Sequence, residues 1–272
     1  MSLIPIALCA DDFGQHAGVD HAVCELVDLG RLSALSCMSG APRWQQESAP
    51  MLKERGNRAD IGLHFNLTEN FGITPGTPLS KLILRAYARQ LDHNALKNSL
   101  NRQLDDFETA LQRSPDFIDG HQHVHQLPAV RDVLLDTLAT RYRGQAVWVR
   151  NVLAADPRWG GKTRVLEILG GKALHAKLLA AKIATNQGFA GVYGFDTDDY
   201  AGRFAQWLQP ARPGMLVMCH PGTSEDGNDP ITRQRLVEYR FFKSEQFAVL
   251  LEGAGLRLER LSAILARPSG SI

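Results

Sequence analysis

Residues 4–14 read IPIALCADDFG, an apolar run that ends in two adjacent carboxylates, Asp11 and Asp12. The apolar part, residues 4–10, has the length and composition of a buried strand. Apolar residues then recur at helical spacing as far as Gly30, a residue type that commonly follows the end of a helix. This stretch therefore predicts one strand followed by one helix, with two acids at the carboxyl end of the strand.

The same alternation continues along the chain. Further strands are predicted at residues 32–39, 60–66, 117–121, 146–150, 189–195, 215–220 and 256–261, with helical patterns between most of them. Strands that alternate with helices indicate βαβ units and a parallel sheet. About eight such units predict an α/β fold of the TIM-like (β/α) barrel type, regular or irregular, and a doubly wound open sheet is the alternative.

Length and charge limit the classes of protein to consider. The 272 residues suit one large α/β domain, expected over residues 1–265 and followed by a flexible tail at 266–272. Lys and Arg number 30 against 29 Asp and Glu, a net charge of +1 that gives no reason to expect a nucleic-acid or anionic-membrane partner. No apolar run reaches the roughly 18 residues of a membrane span.

The expected compartment is the cytoplasm. The first residues lack a charged leader and read as a strand, not as a secretion signal. The four cysteines are scattered in apolar contexts without a C-x-x-C pair, which indicates free buried thiols in a reducing environment.

Polar residues able to do chemistry fall at the predicted carboxyl ends of several strands. They are Asp11, Asp12, His64, His121, Arg150 and His220. In a parallel barrel these ends share one face, which is the face that carries active sites. Their convergence predicts an enzyme.

The Asp11–Asp12 pair and His64 each allow two interpretations. Of two adjacent carboxylates on an extended strand, one can bind a metal while the other approaches a water molecule. A turn with a helix cap explains the same pair, because Asp caps helices well. His64 alone is equally typical of a hydrogen-bonded structural histidine.

The segment DGHQHVH at 119–125 is a stronger signal for a metal site. In an extended conformation His121, His123 and His125 would share one face. Imidazole nitrogens suit Zn, Ni, Co, Mn or Fe, and a carboxylate ligand adds Mg. An exposed polar loop is the alternative interpretation.

The segment MCHPG at 218–222 places His220 directly after a predicted buried strand. An imidazole there could protonate a leaving group because its ordinary pKa lies near neutrality. A capping or core histidine is the alternative. The acidic segment FDTDDY at 195–200 is interpreted as a turn and a helix cap.

Four motifs occur in a fixed order: ADDFG at 10–14, GLHFNLTE at 62–69, DGHQHVHQLP at 119–128 and CHPG at 219–222. Together they resemble the YdjC-like carbohydrate deacetylase family, which includes the chitooligosaccharide deacetylases. The resemblance runs from residue 5 to about residue 252, nearly the whole chain. It implies a TIM-like α/β fold, hydrolysis of the acetamido group of an N-acetylated sugar, and often a homodimer.

The resemblance also implies roles for individual residues. Asp12, His64 and His121 would be ligands of one divalent metal ion, either Mg²⁺ or Zn²⁺. Asp11 would be the general base and His220 the general acid.

Substrate-binding roles are expected for Arg150, Asn66 and His125. Arg150 could hold a carboxylate through two hydrogen bonds, and Asn66 belongs to a Gly- and Pro-rich loop at 66–78 that could cover the sugar. Another metal-dependent amidohydrolase or a phosphoesterase on the same fold is the alternative function. A non-catalytic metal- or sugar-binding module is less compatible with the residues, because a binding site needs no acid–base pair.

Overall fold

A computed structural model of the protein describes residues 3–71, 76–223 and 229–267. The strands are β1 (Ile4–Phe13), β2 (Ala34–Cys37), β3 (Asp60–Phe65), β4 (Phe117–Gly120), β5 (Trp148–Val149), β6 (Phe189–Ala190), β7 (Leu216–Cys219) and β8 (Leu256–Leu258). The helices are α1 (Ala17–Asp28), α2 (Ala49–Leu52), α3 (Leu79–Tyr87), α4 (His93–Leu111), α5 (Val130–Arg141), α6 (Lys162–Leu166), α7 (Lys172–Ala180), α8 (Tyr200–Leu208), α9 (Thr232–Lys243), α10 (Glu245–Gly253) and α11 (Leu261–Leu265). A 3₁₀ turn occupies His121–Gln126, and π-helical turns occupy Trp44–Ser48 and Glu167–Gly171.

The strands form one parallel sheet with the order β5-β4-β3-β2-β1-β7-β6. Strand β1 lies between β2 and β7 and pairs with β7 through Ala7 to Ala10, while its first residues, Ile4 to Ile6, pair with β8. Two isolated parallel bridges, Val149 with Thr185 and Ala154 with Phe189, connect the two ends of the sheet. The predicted (β/α) barrel is therefore confirmed in an irregular form, with short strands where it closes.

Successive side chains of β1 point to opposite faces of the sheet, so alternate residues of this strand belong to two different apolar clusters. Ile6 and Leu8 pack towards the outer helices, whereas Ala7 and Cys9 belong to a second cluster inside the curved sheet. Phe117 and Trp148 stack inside at a ring-centroid distance of 4.1 Å. The four cysteines are free and buried, as predicted.

Several predicted helices and strands differ from the structure. Between β5 and β6 the helical pattern is divided into α6, a π-helical turn and α7. Strands β5 and β6 have only two residues each, fewer than predicted. Helices α8 and α9 were not predicted, although Asp199 caps α8 by accepting a hydrogen bond from the Gly202 amide at 2.8 Å, in agreement with the cap predicted in that segment.

Candidate metal and catalytic site

The candidate site lies at the carboxyl end of β1, where Asp11 and Asp12 are both almost fully buried. The strand continues through the pair to Phe13, and its register with β2 shifts between Ala10 and Phe13. Asp12 lies at the shift with φ 68°, a left-handed conformation that non-glycine residues seldom adopt. The bulge turns the two neighbouring carboxylates to different partners, so each has its own set of contacts.

His64 lies on β3, and its Nδ1 contacts two buried side chains, Asp119 and Ser36. Its Nδ1 lies 2.6 Å from Asp119 Oδ1 and 3.0 Å from Ser36 Oγ. Its Nε2 points the other way and lies 3.3 Å from Asp12 Oδ1. A carboxylate behind an imidazole fixes the ring's tautomer and orientation, the arrangement found behind many metal-binding histidines.

His121 follows β4 and completes a group of three donors. Its Nδ1 lies 2.9 Å from Asp12 Oδ1. Ligand atoms of Asp12, His64 and His121 all lie within 4.8 Å of one another, and all three side chains are buried. The structure therefore brings together the three predicted ligands, two nitrogens and one carboxylate, in a group that could hold a metal ion.

The pKa values of these groups reflect strong coupling. Burial opposes charge on Asp12, but Arg235 and His121 hold the pKa of its carboxyl well below the usual range. Burial alone would lower the pKa of His64, yet Asp119 and Asp11 raise it to about 10. The pKa of His121 is also raised, because Asp12 outweighs the effect of burial. The neighbouring carboxylates therefore favour the protonated form of both imidazoles in the metal-free protein.

Next to the candidate metal group of Asp12, His64 and His121 lies a buried ion network centred on Arg150. Its Nη1 and Nη2 donate to the two oxygens of Asp11 at 2.7 and 2.6 Å. The same Nη2 lies 2.6 Å from Asp119 Oδ2, and Asp119 also accepts from His64. One guanidinium thus orients the predicted base and the carboxylate behind a predicted metal ligand.

His220 follows β7 on the other side of the site. Its backbone N–H donates to Glu238 Oε2 at 2.5 Å, and its ring meets Phe195 edge-on at a centroid distance of 5.0 Å. The ring's Nδ1 has no hydrogen-bond partner among the described residues. Burial lowers the pKa of His220 to about 4, because Asp12 and Asp11 only partly offset it.

These groups open into one cavity of about 490 Å³. Its polar lining consists of Asp11, Asp12, Gln15, His64, Glu69, His121, Gln122, His123, Lys162, Tyr193, His220, Asp229 and Arg235. Its apolar lining consists of Leu79, Val165, Leu166, Leu169, Val192, Phe195, Met218, Pro230 and Ile231. The five residues predicted as ligands, base and acid all line this cavity.

The three predicted substrate-binding residues do not line the cavity. Arg150 and His125 are fully buried, and His125 Nε2 lies 3.0 Å from the Arg150 carbonyl oxygen. Asn66 Oδ1 instead accepts hydrogen bonds from the backbone N–H groups of Thr68 and Glu69, both at 2.9 Å. Arg150 thus orients carboxylates and Asn66 shapes its own loop. Residues 72–75 of the predicted covering loop lie outside the described residues.

The alternating histidines do not share one face, and that prediction is wrong. The segment turns as a 3₁₀ helix in which Gln122 and His123 have φ values of 51° and 59°. The turn leaves His121 beside Asp12 in the candidate metal group, brings His123 to the cavity and places His125 in the interior. Backbone hydrogen bonding in a tight turn here overrides the period of two expected for a strand.

Two further charged residues at the site were not predicted. Arg235, on α9, donates to Asp12 Oδ2 at 2.7 Å and to Asp229 Oδ2 at 2.5 Å, and it is almost fully buried. Glu69 reaches from the loop after β3 to within 3.3 Å of His121 Nε2. The motif GLHFNLTE contains Glu69, but in sequence Arg235 is one of several charged residues and carries no distinguishing signal.

Comparison with known proteins gives a family. The family model for YdjC-like proteins matches residues 5–253. A carbohydrate deacetylase from Homo sapiens is 32% identical over 148 residues, covering 49% of this chain and 45% of that protein. A chitooligosaccharide deacetylase from Serratia marcescens is 34% identical over 129 residues, covering 44% of this chain and 50% of that protein. The matched stretches thus span about half the length of these curated relatives.

Solved structures share the fold at low sequence identity. A protein from Enterococcus faecalis V583, described as a candidate cellobiose-phosphate cleavage protein, matches with a TM-score of 0.75 at 17% identity, over 97% of this chain and 100% of that one. A peptidoglycan N-acetylglucosamine deacetylase matches with a TM-score of 0.53 at 12% identity, over 97% and 89%. Among the residues described here, no helix is both long and apolar enough to span a membrane.

Proposed function

The chain belongs to the YdjC-like family, and from that premise we propose that it is a metal-dependent hydrolase that removes the acetyl group from an N-acetylated sugar. The observation that carries the proposal is the convergence of donor atoms from Asp12, His64 and His121 within 4.8 Å, in one cavity with Asp11 and His220. Relatives named for carbohydrate and chitooligosaccharide deacetylation support this substrate class. A short sugar containing N-acetylglucosamine is the proposed substrate.

The donor set fits a divalent metal. One carboxylate and two imidazoles suit a borderline ion such as Zn²⁺ better than Mg²⁺, which prefers oxygen ligands. Asp119 behind His64 and Arg235 behind Asp12 would fix two of the three ligands. When bound, the ion would polarise the acetyl carbonyl and make a water molecule more acidic.

We assign the proton transfers to the residues beside the ligands. Asp11 would accept a proton from the attacking water, whose oxygen bonds to the acetyl carbon. Arg150 holds both carboxylate oxygens of Asp11 and thereby fixes its orientation. The C–N bond then breaks as the sugar nitrogen gains a proton, and the products are acetate and an amino sugar.

His220 is the proposed donor of that last proton. Burial keeps its pKa at about 4, so the ring is neutral at pH 7 in the substrate-free protein. We expect the ring to take up a proton from water in the cavity as negative charge develops on the substrate, because nearby negative charge favours the imidazolium form.

The test is acetate release from a panel of N-acetylated sugars, cyclic amides and phosphate esters, with and without a chelator. Release from an N-acetylated sugar that stops on chelation and returns with a divalent ion supports the proposal. Cleavage of only a phosphate ester or another amide would instead assign the site to a different metal-dependent hydrolase.

A further inference from the structure

Two consecutive residues in the turn after β4 adopt a left-handed backbone conformation. Gln122 has φ 51° and ψ 26°, and His123 has φ 59° and ψ 28°. This conformation costs free energy for every residue type except glycine, and strain of this kind concentrates at functional sites. A chain that needed only the turn could have glycine at either position.

The strained turn directs both side chains to the proposed site. Gln122 and His123 line the cavity that also holds His121 and His220. By contrast, His125, two residues further on, is fully buried and outside the cavity. Gln122 and His123 are therefore the members of the DGHQHVH segment, besides the proposed ligand His121, that a bound molecule can reach.

Both side chains have hydrogen-bonding capacity that the described residues leave unused. His123 Nδ1 has no hydrogen-bond partner among them, and its ring packs edge-on against Phe189 at a centroid distance of 5.7 Å. No hydrogen bond joins the Gln122 amide to any other described side chain or backbone group. The buried Nδ1 of His123 is costly without a partner, so a ligand that supplies one is favoured. Gln122 is exposed, and its amide is free to donate to and accept from a molecule in the cavity.

We propose that Gln122 and His123 bind the hydroxyl groups of the sugar that carries the acetamido group, and so determine which sugar is accepted. This inference rests on the proposed function. An amide and an imidazole together offer donors and acceptors, and each sugar hydroxyl can donate one hydrogen bond and accept others. Glycine at these positions would keep the turn but would supply no hydrogen bond, which explains why side chains are present despite the strain.

The experiment compares Gln122→Gly and His123→Gly with Gln112→Gly. Gln112 ends α4 with φ 55° and ψ 34°, the same residue type in the same conformation, but it lies outside the cavity. All three variants should unfold at the same or higher urea concentration than the wild type, since glycine relieves the strain. All three should retain bound zinc.

Activity should separate the cavity variants from the control. For an N-acetylated disaccharide, we expect kcat/KM to fall about 3- to 10-fold in Gln122→Gly and in His123→Gly, mainly through KM. Gln112→Gly should keep the wild-type value. With a deoxy analogue that lacks the hydroxyl bound by one of these residues, the penalty for that variant should disappear.

Unchanged kcat/KM in both cavity variants, with an active wild type, would overturn this inference and leave the proposed function standing. If the wild type releases no acetate from any N-acetylated sugar, the proposed function fails. Calorimetric titration of the zinc-loaded wild type with the same disaccharide then decides the present inference. Binding that weakens in both cavity variants supports it, and absent or unaltered binding contradicts it.

Discussion

At the scale of single residues, the site depends on how each carboxylate is held. Asp11 is held by Arg150, and Asp12 by Arg235 and His121. Asp11 and Asp12 are adjacent and chemically identical, but their surroundings differ. Such a difference allows two carboxylates to have different proposed roles, here a general base and a metal ligand. Asp12 contacts both proposed histidine ligands, whereas Asp11 is tied to the ion network centred on Arg150.

The proposed acid and base should differ from the ligands in their effect on metal content. Asp11→Asn and His220→Ala are expected to retain the metal and to lose roughly 10²- to 10⁴-fold in kcat, because each would remove one proton transfer. Metal analysis and steady-state kinetics on the same preparations check this. Near-wild-type turnover in either variant would exclude that residue as a proton carrier.

Arg235 should stabilise the metal-free protein. Its guanidinium pairs with the buried carboxylates of both Asp12 and Asp229. Arg235→Gln is expected to lower the free energy of unfolding by roughly 3–5 kcal/mol without metal, and by less with metal, which would supply the missing positive charge.

Urea unfolding with and without zinc measures this effect, and α9 itself offers a control. Arg233 pairs with Asp198, and both side chains are more than four-fifths exposed. Arg233→Gln should change the free energy of unfolding by less than about 1 kcal/mol. Equal stability of the Arg235 and Arg233 variants would contradict the role assigned to Arg235.

Metal binding should release protons. In the metal-free protein the pKa of His64 is about 10, so its ring carries a proton at pH 7, and the raised pKa of His121 favours the protonated form of that ring as well. The raised pKa of His64 stabilises the metal-free fold below its ordinary value of about 6.5, and this contribution is lost as pH rises through 10. A metal ion must displace these protons, so its affinity should increase with pH.

Calorimetry in buffers with different ionisation enthalpies counts the protons released. Release of at least about one proton per zinc ion, the proton of His64, is expected near pH 7, falling as pH approaches 10. Binding that is independent of both pH and buffer would show that these imidazoles are not the ligands.

At the scale of elements, close packing inside the sheet makes one glycine necessary. A Cβ added to Gly62, on β3, would lie 2.5 Å from the Phe117 ring, which stacks on Trp148. Gly62→Ala must therefore displace an aromatic pair inside the barrel. We expect it to lower the free energy of unfolding by roughly 1–3 kcal/mol.

Thermal or urea unfolding checks this prediction. Gly253, at the end of α10, provides the control because a Cβ there would meet no atom within 4 Å. Gly253→Ala should be neutral or stabilising, since alanine favours helix more than glycine does. A Gly62→Ala protein as stable as the wild type would show that the ring can shift at little cost.

Individual elements could be predicted where the signal was local. Apolar runs in the sequence located all eight strands. The proposed ligands lie at the carboxyl ends of three of these strands: Asp12 in β1, His64 in β3 and His121 directly after β4. Helix α9 could not be predicted in the same way, because its buried face includes Arg235 and Glu238 beside Phe242. Because these charged residues point towards the site, α9 lacks the regular spacing of apolar residues by which a helix is predicted from sequence.

At the scale of the whole molecule, alternation of strands and helices was sufficient to predict a parallel barrel, but not how the barrel closes. Closure depends on isolated bridges at Val149 and Ala154, and β8 pairs with the start of β1 instead of extending the ring. Single bridges between distant residues leave no periodic signal in sequence. The positions of the predicted ligands, base and acid at the carboxyl ends of strands were nevertheless sufficient to predict that these residues lie close together, and all five line one cavity.

The most direct test of the central claim is acetate release from an N-acetylated disaccharide, measured on metal-loaded and chelator-treated protein. We expect loss of one acetyl group per sugar, abolished by chelation and restored by a divalent ion. Asp12→Ala, His64→Ala and His121→Ala should remain folded, bind little metal and release no acetate. Full activity after chelation, or full metal occupancy in all three variants, would contradict the account.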